Sequence, residues 1–333
     1  MKFGPTPTAQ AQGAILAHSL PLAKGRMRKG KLLLAEDILA LIAAGHDTVT
    51  VAQLEAGDVG EDTAALRVAT ALIGGDAQTA RGAGLVLGPA STGRVNITAS
   101  GAGLLGLDVA AIAAANRVAP MITLATLPPL ARLGAGGMAA TIKVISYGVT
   151  ETDLAQVEQI ARGAMRLHPP QMKTAALIET TIGDAPPQAG AQAVTERLSR
   201  LDVTLAAHHL VPHSTDAIAR ALGESRADVA LILTASATSD VRDTAPEGLA
   251  RAGGRMIRFG MPVDPGNLLF LGALGAMPVI GLPGCARSPA LNGADWVLER
   301  VICGQPVGGD DIAAMGVGGL LKDILQRGRK RSG

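Results

Sequence analysis

Two proline-glycine turns are the residues of this chain best suited to hold a ligand. Pro265-Gly266 and Pro283-Gly284 each follow an apolar run. Glycine can adopt a positive φ and proline fixes its own φ, so a chain leaving such a turn presents backbone N–H groups that the turn does not use. Where a helix follows, these donors favour a negative charge. We therefore expect an anionic ligand near the two turns.

Charged and polar side chains flank both turns. Arg287 follows the second turn, where a guanidinium can hold a phosphate through two hydrogen bonds. A surface ion pair is the alternative for Arg287. Asp264 and Asn267 flank the first turn, and Asn267 is the better candidate for ligand contact, although turns favour both residue types in any protein.

A glycine turn in the middle of the chain is a third candidate. Ser91, Thr92 and Arg94 surround Gly93, and such a backbone can bind an anion as a nest. The alternative is a hairpin turn or the entry to a helix. The cations of the turn from Lys24 to Gly30, in contrast, are predicted to be solvated rather than part of a site.

Composition excludes several classes of partner. Aromatic residues make up 2% of the 333 residues and the formal net charge is +2, so the chain lacks the stacking surface and the charge that polymeric nucleic acid requires. Every apolar run is broken by glycine, proline or a charge before about 18 residues, so no membrane span is expected. The start, Met1-Lys-Phe-Gly-Pro, lacks the apolar segment of a signal peptide, which predicts a cytoplasmic location.

The cysteines and histidines give no metal site by spacing. Cys285 and Cys303 form no CxxC or CxxH pair, and Cys303 is predicted to be a small core residue. His208 and His209 would point to opposite faces of a strand, so they are not expected to share one ion.

Hydrophobic patterning predicts an α/β protein of three units. Hydrophobic residues make up 48% of the chain and are nearly all aliphatic, which suits layered α/β cores. The units are an N-terminal α+β unit (1–82), a glycine-rich α+β middle module with a proline-containing linker at 166–172 (83–170), and an α/β domain (171–333). In the first two units, the predicted helices are 35–43, 60–73 and 108–116, and the predicted strands are 14–17, 48–51, 121–125 and 141–145. The basic tail from Arg327 is predicted to be disordered.

Strands and helices alternate in the third unit. The predicted strands are 175–178, 203–210 and 229–233, and the predicted helices are 189–201, 215–222 and 247–252. This alternation predicts a mostly parallel sheet with helices on both faces, and ligands of such sheets lie outside the carboxyl ends of the strands. The loops after Ile178, Leu233 and Ile280 are therefore expected to meet, together with the Pro265-Gly266 turn.

The order of these segments resembles the molybdopterin-binding domain of the MoeA, gephyrin and MogA family. Ala235-Ser236-Ala237-Thr238 stand where the family has Gly-Gly-Val-Ser, and Asp243 matches the acidic residue that follows. Pro265-Gly266 matches Lys-Pro-Gly-Lys-Pro, and the segment from Leu282 to Ser288 matches Leu-Pro-Gly-Asn-Pro-Val-Ser. Gly183-Asp184 is similar to a family Gly-Asp-Glu. The resemblance covers most of the chain and implies a three-layer α/β/α MogA-like C-terminal domain.

The resemblance also implies a ligand, a metal and an oligomer. The ligand is molybdopterin, free or adenylylated, and the middle module would reach it across a homodimer. The residues implied to bind it are Ser236, Thr238, Ser239, Arg242, Pro265, Gly266, Asn267, Pro283, Gly284, Arg287 and Ser288, with Ser91, Thr92 and Arg94. Asp243 is the candidate catalytic residue and Mg²⁺ ligand, because hard cations prefer carboxylate oxygens. Its alternative role is the N-cap of a helix that begins near Pro246.

Three functions stay open at this point, and one of them is a generic nucleotide-binding α/β protein. The first is transfer of molybdate onto the pterin dithiolene with loss of a nucleotide, as in a molybdotransferase of molybdenum cofactor biosynthesis. The second is a non-catalytic carrier that presents the cofactor to a nucleotidyltransferase or a molybdoenzyme. Asp264 and Asn267 replace the two lysines of the family, which removes cations that phosphate or molybdate needs and favours the carrier.

Overall fold

A small three-stranded sheet and one helix form the start of the chain. The computed structural model describes residues 1–75, 83–183 and 190–321. The strand order is β1 (Lys2–Pro7), β5 (Thr48–Gln53), β2 (Ile15–Leu16), all antiparallel, and β3 (Leu20–Pro21) pairs with β4 (Arg26–Met27) in a hairpin. The helix α1 (Ala35–Ala43) buries Ile38 and Leu41 in the same core, whereas Ile42, predicted from the spacing to share their apolar face, is 46% exposed.

A second core follows, and it also combines helices with antiparallel strands. Its helices are α2 (Glu61–Leu72), α3 (Val109–Val118) and α4 (Glu151–Ala161). Its main sheet has the order β10 (Ile122–Thr126), β12 (Met138–Val144), β8 (Arg94–Ala99), β7 (Leu85–Leu87). Two smaller sheets are β13 (Gly148–Thr150) with β6 (Asp58–Gly60), and β11 (Arg132–Leu133), β9 (Gly103–Leu107), β14 (Met165–His168). The predicted helices and strands of this region are confirmed, with ends shifted by one to three residues.

The described residues group into two compact units. The first comprises Met1–Gly101 and Leu105–Leu167, and the second comprises Ala102–Leu104 and the residues from His168 onward. The predicted division into 1–82, 83–170 and 171–333 stays a prediction. The predicted linker at 166–172 begins inside β14, and the Gln171 N–H donates to the Ile302 carbonyl at 2.8 Å. Asp184 and the tail from Arg327 lie outside the described residues.

The second unit is built on a six-stranded sheet. Its order is β16 (Thr204–Pro212), β15 (Thr174–Thr181), β17 (Val229–Leu233), β20 (Met277–Leu282), β19 (Phe270–Leu274), β18 (Arg255–Phe259). The first four strands are parallel, and β19 runs antiparallel to both of its neighbours. The mostly parallel α/β fold predicted for this part of the chain is confirmed.

Helices cover both faces of this sheet. Alternate strand residues such as Ile178, Ile232 and Val279 pack with α6 (Thr215–Glu224) and α7 (Thr244–Arg251). The intervening residues Leu177, Leu231 and Ile280 are fully buried as well, so they must be covered on the opposite face. There α5 (Ala191–Ser199) contacts β15 and β16, and α8 (Gly293–Ile302) contacts β20. The result is the expected three-layer arrangement; α9 (Gly309–Ala314) follows it.

The antiparallel edge of the sheet is absent from the sequence prediction. β18, with the sequence Arg-Met-Ile-Arg-Phe, has neither the continuous apolar run of a central strand nor a strict alternation. An edge strand tolerates such a pattern because one side of it has no neighbour.

None of the described helices has the length and apolarity needed to cross a bilayer.

One glycine allows β20 to pack under an aromatic ring. Gly281 pairs with Phe270, and a Cβ at Gly281 would lie 1.9 Å from Cε1 of that ring. We expect Gly281→Ala to cost about 3 kcal/mol in the free energy of unfolding, because the buried ring cannot move away without strain. Gly223→Ala, in α6 with open space around it, is the matched control and should be neutral or stabilising. Urea denaturation followed by circular dichroism measures both, and equal effects would contradict this account.

Candidate functional site

The carboxyl ends of the parallel strands bring the predicted ligand loops to one edge of the sheet. β15, β17 and β20 are parallel neighbours, so they end together near Thr181, Leu233 and Leu282. The pairing of Phe259 with Phe270, and of Phe270 with Gly281, places the end of β18 and the start of β19 at the same edge. The loops 234–243, 260–269 and 283–292 therefore all begin there. This is the convergence expected from the sequence.

Short hydrogen bonds join two of these loops to the strand ends. The Thr180 hydroxyl accepts from the Ala235 N–H at 2.8 Å. Arg287 Nη2 donates to the Thr234 carbonyl at 2.8 Å. The Thr234 hydroxyl donates to the Ser236 carbonyl at 2.6 Å and lies 3.3 Å from the hydroxyl of Thr238. The start of the 234–243 loop is thus fixed, and Arg287 reaches it from the loop after β20.

Arg287 carries a donor that meets no partner among the described residues. Its Nε is buried and makes no hydrogen bond there. Burial lowers the pKa of the Arg287 guanidinium, and the negative charge of Glu179 acts in the opposite direction. Buried polar atoms normally have partners, so an unpaired buried N–H is a candidate contact for a ligand.

Glu179 complements Arg287 and was not predicted from the sequence. The Glu179 side chain is 1% exposed; its Oε2 lies 3.1 Å from His208 Nε2, and its Oε1 has no partner among the described residues. Both side chains lie next to Gly190: a Cβ on it would lie 3.2 Å from Glu179 Oε1 and 3.5 Å from Arg287 Cγ. An unused acceptor and the side chain that carries an unused donor therefore lie near one glycine.

Arg197 holds the loop after β20, and it too was missed by sequence reasoning. Its Nε donates to Asp295 Oδ1 at 2.6 Å, and both side chains are 3% exposed. Its remaining nitrogens donate to four carbonyl groups, those of Ala193, Ala286, Ser288 and Ala290. Asp295 in turn accepts from the Asn292 N–H at 2.8 Å. The only signal in the sequence is an arginine inside the apolar stripe of α5, beside Val194 and Leu198.

The two proline-glycine turns differ in how much of each turn is exposed to solvent. Pro265 and Gly266 are buried, and the Pro265 carbonyl accepts from the Gly293 N–H at 2.8 Å, so this turn packs against the start of α8. The Asp264–Pro265 peptide bond is cis, and Gly266 has a φ of 143°. The Asn267 side chain next to it is exposed. Pro283 is buried, whereas Gly284 is exposed at the start of a 3-10 turn, Gly284–Arg287. Of the two turns, the second offers its glycine to solvent.

Asp243 occupies the position of a helix cap. Its Oδ2 accepts from the Ser239 N–H at 3.0 Å and its Oδ1 from the Thr244 N–H at 2.7 Å, at the start of α7. The Ser239 hydrogen bond holds the pKa of Asp243 below its usual value, with smaller help from Thr244 and from the charge of His213, while burial acts in the opposite direction. The described residues contain no group of three or more His, Cys, Asp or Glu side chains that would hold a metal. The geometry thus gives Asp243 the position of an N-cap, and its role as a Mg²⁺ ligand stays a prediction.

The remaining predicted residues of the loops have mixed environments. Thr238 is buried, whereas Ser236 and Ser239 are exposed. Arg242 is exposed, with its Nε 3.7 Å from Asp240 Oδ1. Ser288 is exposed, and its carbonyl is one of the groups that Arg197 holds. The loop therefore leaves Ser236, Ser239, Arg242 and Ser288 at the surface.

The glycine turn of the middle module forms a hairpin. Ser91 and Arg94 exchange backbone hydrogen bonds of 3.0 and 3.1 Å around Thr92 and Gly93, both of which have positive φ. The Gly93 N–H donates to Asp62 Oδ1 at 2.6 Å. A carboxylate thus takes the donor that we expected an anion to use, and Ser91, Thr92 and Arg94 belong to the first unit rather than to the one that contains Arg287.

The cysteine and histidine predictions can also be compared with the structure. Cys303 is buried as expected, and burial raises the pKa of its thiol to about 12. His208 and His209 alternate in exposure along β16, and His208 pairs with Glu179.

Fold and site together define an α/β domain with a candidate anion site at the carboxyl edge of its parallel strands. A family described as Domain of unknown function (DUF8806) matches residues 5–53. No curated protein matches the chain. Among solved structures, the chain is similar to the molybdopterin biosynthesis enzyme MoaB from Thermus thermophilus, with 17% identity over 40% of this chain and 99% of that one and a TM-score of 0.29.

Two archaeal structures are similar over a longer part of the chain. A molybdopterin biosynthesis MoeA protein from Pyrococcus horikosii shares 11% identity over 90% of this chain and 75% of that one, with a TM-score of 0.30. A molybdenum cofactor biosynthesis protein from Pyrococcus furiosus shares 12% identity over 92% and 66%, with a TM-score of 0.25.

The buried pair of Arg197 and Asp295 predicts a large effect on stability. Asp295→Ala leaves a buried guanidinium without its counter-charge, and we expect a loss of about 3–5 kcal/mol in the free energy of unfolding. Asp216→Ala removes an ion pair with Arg251 in which both side chains are more than half exposed, and should cost less than about 1 kcal/mol. Urea denaturation distinguishes the two. A small loss for both variants would show that the buried pair does not hold the loop.

The capping role of Asp243 predicts a dependence of stability on pH. Because its folded pKa is depressed, its contribution is complete above the ordinary aspartate pKa of about 3.9 and is lost as the pH falls through the folded value. We expect Asp243→Ala to cost about 1 kcal/mol at neutral pH, Asp243→Asn to cost less, and the cost of the alanine variant to shrink in acid. Urea denaturation over a pH series measures this. A cost that does not change with pH would rule out the carboxylate as the cap.

Proposed function

We propose that this chain binds molybdopterin at the carboxyl edge of β15, β17 and β20, as a protein of molybdenum cofactor biosynthesis. The observation that carries the proposal is the position of the segments that resemble the molybdopterin-binding family. Segments 235–243 and 282–288 lie far apart in sequence, yet both lie at strand ends on the same edge, and 265–266 belongs to the loop that joins two further strand ends there. A ligand bound there would meet the first two segments, while the buried Pro265-Gly266 turn supports the start of α8 beside them.

Arg287 is the residue proposed to hold the phosphate of the ligand. Its Nη2 is fixed by the Thr234 carbonyl, so the guanidinium has a defined position before a ligand binds. Its Nε is buried and unpaired among the described residues, so a phosphate oxygen would satisfy it. Partial burial also strengthens the attraction between the two charges.

Glu179 is proposed to accept from an N–H group of the pterin ring. A pterin carries amide and amino N–H donors, and Glu179 Oε1 is a buried acceptor without a partner in the described part of the chain. The side chains of Arg287 and Glu179 both lie next to Gly190. One ligand with an anionic end and an N–H-bearing ring would use both.

A carrier role suits these residues better than molybdate insertion. Both oxygens of Asp243 already accept backbone N–H groups, so its use as a Mg²⁺ ligand would disturb the cap of α7. The positions that the family fills with lysine hold Asp264 and Asn267. We therefore propose that the chain binds molybdopterin, free or adenylylated, and presents it to a nucleotidyltransferase or a molybdoenzyme, as a homodimer.

Binding of molybdopterin tests the proposed site. The chain is titrated with molybdopterin under anaerobic conditions, and pterin fluorescence is followed. Arg287→Ala should weaken binding at least about tenfold, because a charge-assisted hydrogen bond is lost. Arg255→Ala is the matched control, since Arg255 is an exposed arginine at the opposite edge of the same sheet. Absence of binding, or equal weakening by both variants, would contradict the proposal.

A second measurement separates a carrier from an enzyme. The protein is incubated with adenylylated molybdopterin, molybdate and Mg²⁺, and AMP is quantified. A carrier binds the ligand and releases no AMP. Release of AMP that disappears in Asp243→Ala would instead support molybdate insertion.

A further inference from the structure

The basic turn near the start of the chain forms one wall of a cavity. The cavity has a volume of about 570 Å³ and belongs to the first unit. Four of its lining residues are the cations Arg26, Arg28, Lys29 and Lys31, and Asp37 is its one acidic lining residue. The cavity therefore carries three positive charges in excess, on cations that the sequence predicted to be solvated rather than part of a site.

The cations of this segment surround one buried methionine. Met27 is 5% exposed and packs into the N-terminal core with Leu16 and Leu41. Side chains of a strand alternate, so Arg26, which precedes Met27 in β4, points away from that core, and Arg28 follows the end of the strand. Both are exposed, as are Lys29 and Lys31. The buried methionine thus anchors a segment whose four cations stay at the surface.

Backbone hydrogen bonds fix the segment that carries the charges. The Lys29 N–H donates to the Ser19 hydroxyl at 3.0 Å, and the Gly30 N–H donates to the Leu16 carbonyl at 2.7 Å. The Leu16 N–H donates to the Lys31 carbonyl at 2.9 Å. Because these hydrogen bonds already hold the backbone of residues 29–31, the segment loses little further conformational freedom when a ligand binds.

Only one of the four cations forms an ion pair with a described residue. Lys31 pairs with Asp37, which is 5% exposed and also accepts from the Leu34 N–H at 3.0 Å. Within residues 1–75, 83–183 and 190–321, Arg26, Arg28 and Lys29 have no acidic group within 4.0 Å. Like charges that line one cavity repel one another, and a bound polyanion would relieve that repulsion.

We infer that this cavity binds a small ligand through a diphosphate or triphosphate group. Arginine holds phosphate oxygens through paired hydrogen bonds, and two arginines with a lysine match more than one phosphate. The cavity is larger than a single phosphate requires, and no aromatic residue lines it, so recognition rests on the phosphates rather than on a stacked base. This site is independent of the proposed molybdopterin site.

Calorimetric titration of the full chain with inorganic tripolyphosphate tests the inference. We expect saturable binding that weakens as NaCl is raised. Arg26→Gln combined with Arg28→Gln should reduce the affinity at least about tenfold, since hydrogen bonds to a charged group are lost. Arg220→Gln combined with Arg255→Gln is the matched control: it removes the same charge from arginines of the second unit and should leave the affinity within about twofold.

Two further measurements, one with a different anion and one with a different variant, complete the test. Citrate, a small trianion without phosphate, should bind at least about tenfold more weakly than tripolyphosphate, because it lacks the matching oxygen geometry. Lys29→Gln provides a second exposed substitution if the double variant does not fold. Equal losses in the cavity and control variants, equal affinity for citrate, or no binding of tripolyphosphate would overturn the inference.

Discussion

The loop geometry of the second unit depends on one buried ion pair, that of Arg197 with Asp295. Removing two charges from water is costly, and the cost is offset only when the remaining donors are also satisfied. The Arg197 guanidinium meets this condition by donating to the carbonyls of Ala193, Ala286, Ser288 and Ala290 as well. Three of these carbonyls belong to the loop after β20. One side chain of α5 thereby fixes the loop that carries Arg287, and Asp295 fixes the start of α8.

The ion pair of Arg197 with Asp295 is connected to the Pro265-Gly266 turn through hydrogen bonds at the start of α8. Asp295 accepts from the Asn292 N–H, and the next N–H, that of Gly293, donates to the Pro265 carbonyl. A Cβ at Gly266 would lie 2.9 Å from the Gly293 nitrogen, so the close packing of this turn on the start of α8 requires glycine at position 266. Two turns that looked equivalent in sequence therefore have different roles: Pro265-Gly266 anchors the helix, while the exposed Gly284 borders the candidate ligand position.

The parallel sheet was predictable from sequence, but the pairing of its polar side chains was not. Apolar runs such as Val229–Leu233 alternate with amphipathic helices, and this order is enough to predict neighbouring parallel strands and a common carboxyl edge. Arg287 was found because it follows a recognisable turn. Glu179 was missed because it continues the apolar strand β15, and its partner His208 is distant in sequence. Their contact depends on the register of β15 against β16, which no local pattern specifies.

The charges at the two candidate sites argue for different ligands. At the sheet edge, the buried guanidinium of Arg287 is opposed by the negative charge of Glu179, so the net field there is weak and suits one phosphate together with N–H donors. In the N-terminal cavity, Asp37 pairs with Lys31, and Arg26, Arg28 and Lys29 form no ion pair with a described residue. A ligand with several closely spaced negative charges gains most there, since the attraction to each added phosphate grows with the number of unpaired cations nearby. The inferred site would therefore give the N-terminal unit a ligand of its own.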